Sequence, residues 1–204
     1  MARASGHDFW KGQFETGGNL PSSWFDSAFG LLTAADVLDR FTGNFLGEIV
    51  KAMSSGRHHE LKMTQLRYER MSVVKVSHML RAMATECLLK ALWLKHGGML
   101  AEDGRYVGVS KKEHRLHELA KTVSQKGHIV FTKRELELLE QASCWITSGR
   151  YPIEKEYSYL VPYRRLDGTL APRQFWRGDP LEELKVLTAK LQTALGIEIK
   201  FESE

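Results

Sequence analysis

The chain has 204 residues, 43% of them hydrophobic and 10% aromatic, enough to bury one sizeable core and unlike a disordered segment. A formal charge of +4 and a pI near 9.0 are a mild basic bias, which suits either a polyanionic partner or an ordinary solvated surface. Cys87 and Cys144 sit in apolar stretches without CxxC or His/Cys zinc spacing, the N-terminus lacks a signal-peptide apolar region, and no apolar run approaches the ~18 residues of a membrane span, so the expectation is a single cytoplasmic domain over 1–204 with two buried thiols and no metal.

Residues 1–21 mix glycines and polar residues with Phe9, Trp10 and Phe14. They read as an arm that docks by its aromatics, with no conformation dictated by composition. Phe25, Ala28, Leu32, Ala35 and Leu38 then recur at helical spacing through PSSWFDSAFGLLTAADVLDRF, and Ser23 with Asp26 marks the start. A second amphipathic stretch, NFLGEIVKAM, breaks at Ser54, Ser55 and Gly56.

From about His59 to His96 the pattern stays helical, with an apolar stripe of Leu66, Val73, Val76, Leu80, Met83, Cys87, Leu88, Ala91 and Leu92, and Gly97 and Gly98 stop it. This is either one long helix or one that bends near Arg70. The basic run Arg57, Lys62, Arg67, Arg70, Lys75 and Arg81 reads as its solvated face.

Asp103 and Gly104 signal a turn within 99–109, in a small hairpin or an open loop. Ser110 with Glu113 forms a capping-box pattern before HRLHELAKTV, closed by Gly127. Thr132 with Glu135 repeats it before ELELLEQASCWITS, closed by Gly149. Asp167 and Gly168 between strand-like runs predict a two-residue hairpin turn. Asp179, Pro180 and Glu182 open a last helix that ends at Gly196.

The mainly α pattern, the paired alanines of the first apolar helix, the segments TECLLKALWLKHGG and HRLHELA, and the segment ASCWITSGRYP stand in an order that resembles the HEPN family. The positions that carry the likeness are Glu86 and Lys90, then His114, Leu116 and Leu119, then Arg150 with Tyr151 and Pro152. The resemblance spans about 22–152, which makes 153–178 a basic-aromatic hairpin or loop and 179–204 a C-terminal helix and tail. It implies an up-and-down helical bundle built on an antiparallel helix pair, homodimerisation, and association with RNA cleavage, RNA or nucleotide binding, toxin–antitoxin pairs or phage defence. A cognate antitoxin or nucleotidyltransferase-type protein is the implied partner.

One departure bears on chemistry. Ribonucleases of that family carry an arginine with a histidine a short spacing downstream, whereas the last histidine here is His128, before Arg150. The expected function is therefore binding of RNA or a nucleotide without the usual nuclease motif. The alternative is a metal-independent ribonuclease in which His114 or His117 takes the 2′-hydroxyl proton and Arg150 stabilises charge on the phosphate. If one helix carries both imidazoles, they are neighbours at i and i+3.

A third possibility is a protein–protein interaction module. Glu86 and Lys90, at i and i+4 among apolar neighbours, predict a structural ion pair that Arg150 can join. For nucleic acid the expected surface is Arg150, Tyr157, Tyr159, Arg164, Arg165, Arg173, Trp176 and Arg177, cations for phosphates interleaved with rings for unstacked bases. The same pattern also fits a hairpin whose rings pack on the bundle while its arginines reach water. No P-loop, GxGxxG, HExxH or GxSxG spacing is present, so no cofactor is expected.

Overall fold

The computed structural model describes residues 6–42, 65–109, 114–126, 129–150, 163–164, 170–171 and 180–196. Among them are six helices and two small antiparallel sheets, a mainly α fold. In chain order these are α1 (Gly6–Gly18), α2 (Pro21–Thr42), α3 (Gln65–Lys95), β1 (Ala101–Glu102), β2 (Arg105–Tyr106), α4 (Leu116–Lys126), α5 (Lys133–Arg150), β3 (Tyr163–Arg164), β4 (Leu170–Ala171) and α6 (Pro180–Leu195).

Helix α2 begins at Pro21, ahead of the expected Ser23, because proline's fixed φ and missing N–H suit a first helical position. Its predicted stripe is the buried or half-buried one, with Ala28 and Ala35 fully buried. Those two small side chains let α3 approach closely, and α2 packs along α3 more extensively than any other pair of elements. The pair is antiparallel: Trp24 lies at Lys90, Asp36 at Arg81 and Asp39 at Ser77.

Helix α3 is the centre of the bundle. Leu88, Leu89 and Leu92 join one apolar cluster with Leu116 and Leu119 of α4, Leu138, Leu139 and Ile146 of α5, and Leu184, Leu187 and Leu191 of α6. The helix ends in a Schellman motif: Gly97 takes φ +76°, the Gly98 N–H donates to the Trp93 carbonyl at 2.9 Å, and the Gly97 N–H donates to that of Leu94 at 3.0 Å.

The N-terminal segment departs from its expectation. Residues 6–18 form a helix, and it docks by polar residues while Phe9, Trp10 and Phe14 face solvent. Lys11 pairs with Asp103 at 3.2 Å, Glu15 accepts from the Gly104 N–H at 2.6 Å, and the Asn19 amide accepts from Leu100 and Ala101 and donates to the Ala101 carbonyl. Gly18 stands so close to β1 that a Cβ there would lie 2.8 Å from that of Ala101.

The hairpin β1–β2 pairs Ala101 with Tyr106 and Glu102 with Arg105. Positive φ at both Asp103 and Gly104 makes the connection a type I′ turn. In the second hairpin Tyr163 pairs with Ala171 and Arg164 with Leu170; the turn expected at Asp167 and Gly168 lies outside the described residues.

Two helix starts rest on tertiary or reciprocal bonds. Helix α4 starts at Leu116, later than its apolar pattern suggests, with the Leu116 N–H donating to Ser143 Oγ of α5 at 2.8 Å. At α5 the capping box forms as read: the Thr132 N–H donates to Glu135 at 2.6 Å and the Glu135 N–H to the Thr132 hydroxyl at 3.2 Å. Helix α5 continues one residue past Gly149 to Arg150. The Ser110–Glu113 box, the Gly56 break and Gly127 lie outside the described residues, as does Asp179, while Pro180 is the first residue of α6.

Candidate functional site

Helices α2 and α3, strand β2 and the segment before α4 bring their side chains together around Glu86 and Lys90. Glu86 stands on the buried face of α3, one turn before Lys90, and the two residues are only 6% and 5% exposed. Lys90 Nζ donates to Glu86 Oε1 at 2.7 Å. The other carboxylate oxygen accepts from His114 Nδ1 at 2.8 Å. A carboxylate can only accept, so Nδ1 carries the proton and Nε2 of the neutral ring is an acceptor. The imidazole is 58% exposed on its side chain, and Nε2 has no partner among the described residues.

Lys90 is covered by two rings: its ammonium lies 4.8 Å from the Trp24 ring centroid and 5.3 Å from that of Tyr106. Burial by itself lowers the ammonium's affinity for its proton, but the Glu86 carboxylate and the Tyr106 hydroxyl outweigh it and hold Lys90 above its ordinary value. The rings are placed from the N-terminal side. Trp24 Nε1 donates to the Gly18 carbonyl at 2.9 Å, and Tyr106 rides on the hairpin that Asn19 holds. Their centroids are 6.2 Å apart.

The result is a buried carboxylate carrying an exposed, oriented imidazole on one oxygen and, on the other, a cation that lies against a half-exposed tyrosine. Such an arrangement can accept a proton at Nε2 and can offer a ring face to a planar group.

The other expected site residues are not gathered here. His117 turns to its own helix: Nε2 lies 3.0 Å from Glu118 Oε1, and Nδ1 is sealed without a partner among the described residues. Burial lowers its pKa, against Glu140 and Glu118 which raise it. Because α4 starts at Leu116, His114 precedes the helix, and the i, i+3 relation expected of the two imidazoles does not apply. Arg150 closes α5 and Arg164 lies in β3, and their side chains lie outside the described residues. Tyr157, Tyr159, Arg165, Arg173, Trp176 and Arg177 lie outside the described residues.

A second polar cluster was not legible as such. Arg81, read as part of a solvated face, is 3% exposed. Its guanidinium lies within 2.5 Å of both Asp36 and Asp39, and Ser77 donates to Asp39. His78, also buried, packs its ring 5.1 Å from that of Trp145. Burial pushes its pKa down to about 4, with Asp39 opposing and Arg81 and Lys185 assisting. The available signal was the spacing of His78, Arg81 and Thr85 along α3, a polar stripe at helical period inside an apolar segment. Among the described residues no three His, Cys, Asp or Glu side chains gather as metal ligands, and no helix is long and apolar enough to cross a membrane.

Comparison with protein-family models, curated proteins and solved structures finds no match.

Proposed function

We propose that the chain is a HEPN-like protein that binds RNA or a nucleotide, as a homodimer, in a toxin–antitoxin or phage-defence setting. The observation that supports this most is the exposed His114, oriented by buried Glu86, whose other partner Lys90 lies against the half-exposed Tyr106. A base stacks on the Tyr106 ring, and the imidazole hydrogen-bonds the ligand. Base–aromatic stacking contributes ~1–3 kcal/mol. Tyr106→Ala and His114→Ala therefore each weaken binding of a labelled single-stranded RNA about tenfold or more in fluorescence anisotropy. Unchanged affinity in both variants removes the proposal.

A second reading, a metal-independent ribonuclease, is favoured by one feature: Nδ1 tied to a carboxylate leaves Nε2 able to take the 2′-hydroxyl proton, with Arg150 as the cation for the phosphate. It requires cleavage that survives a chelator and is lost in both His114→Ala and Arg150→Ala. Binding without cleavage selects the first reading. No RNA affinity at all would favour a module that binds a cognate antitoxin or nucleotidyltransferase-type protein instead.

A further inference from the structure

A half-open cavity of about 280 Å3 lies between α2, α3 and α6. It faces Arg81, five residues before Glu86 on α3 and turned roughly 140° from it round the helix, so it is separate from the His114 site. Phe29 and Leu32 of α2 form an apolar wall, and Lys185 and Gln192 of α6 stand on the other helix.

Two features set the chemistry of the cavity. Gln192, only 8% exposed, lines it and brings a carboxamide that can both donate and accept a hydrogen bond.

The second feature is a balance of charge on facing helices. Asp36 gives one oxygen to Arg81 at 2.5 Å, and its other oxygen has no partner among the described residues. Lys185 stands on the facing helix, and among the described residues its ammonium pairs with the exposed Glu182 at 2.6 Å. A phosphate-like polyanion is repelled by Asp36, and a simple cation by Lys185 and Arg81.

We propose that this cavity binds a small zwitterion, an ammonium and a carboxylate carried on an apolar body, of which a free amino acid with an apolar side chain is the simplest member. Asp36 receives the ammonium, Lys185 the carboxylate, and Gln192 hydrogen-bonds the polar head. Phe29 and Leu32 cover the body.

The test uses the full chain with millimolar L-leucine and L-phenylalanine, each also as its N-acetyl and its carboxamide derivative, followed by calorimetry and thermal unfolding. The proposal expects a free amino acid to bind and raise the unfolding temperature, and either capped form to bind about tenfold more weakly, as befits loss of a charge-assisted contact. Gln192→Leu and Lys185→Met should weaken binding by a similar factor. Neither side chain holds another buried group, so both variants should unfold near the wild-type temperature without ligand. The proposal is overturned if neither free amino acid binds, if the capped forms bind equally well, or if Gln192→Leu leaves affinity unchanged. These outcomes do not depend on RNA binding at His114.

Discussion

His78 shows how burial, more than its charged neighbours, makes a residue pH-sensitive. The unfolded imidazole takes a proton near its ordinary value of 6.5, whereas the folded one, 2% exposed against Trp145, does so only near pH 4. Between those values the unfolded chain binds more protons. The stability His78 contributes is thus complete above pH 6.5 and is lost as pH falls towards 4. The loss is on the order of 3 kcal/mol. Urea titrations from pH 7 to 4 should show it in the wild type and a clearly flatter profile in His78→Phe; parallel profiles would mean the imidazole is not the titrating group. Glu86 makes a different demand. Glu86→Gln leaves the buried Lys90 ammonium without its counter-charge and should cost ~3 kcal/mol, while adding Lys90→Met should recover part of that. A double-mutant cycle reads the difference.

Among the elements, α2 and α3 are held by a buried cation with half-exposed anions. Removing both Asp36 and Asp39 as alanines strands the Arg81 guanidinium and should destabilise by ~3–5 kcal/mol, whereas Arg81→Met, which leaves two carboxylates near water, should cost less. Equal losses in denaturant would show that the pairing is energetically symmetric. The α5 cap is a smaller device of the same kind. Glu135 completes the capping box and also receives Lys190 of α6 at 2.8 Å. Glu135→Ala should lower stability by ~1–2 kcal/mol at neutral pH. The box was readable because its donors and acceptors lie three residues apart in sequence. The Lys190 bond, across 55 residues, was not.

For the molecule as a whole, packing is graded from a central α3 to an outer α1. Opening of α1 exposes few apolar contacts, so its amides should exchange with solvent well before those of Ala82–Leu92, which should exchange only on global unfolding. Hydrogen exchange followed by mass spectrometry would show uniform protection if this gradient is wrong. Binding of RNA, if carried by the arginines from Arg150 onward, should fall steeply with salt. A flat salt dependence would shift the weight to the uncharged contact at Tyr106.

The sequence by itself determined what depends on near neighbours along the chain: the periodic helices, the Gly97 stop, the Thr132–Glu135 cap and the Asp103–Gly104 turn, since each is specified within one or two turns of backbone. It also placed Glu86 and Lys90 on one side of one helix. Only the tertiary structure decided that α1 docks through Lys11, Glu15 and Asn19, that Arg81 is interior, that His114 meets Glu86, and that Trp24 and Tyr106 cover Lys90. Those outcomes join residues distant in sequence, where burial and partner choice depend on how helices pack rather than on any local pattern.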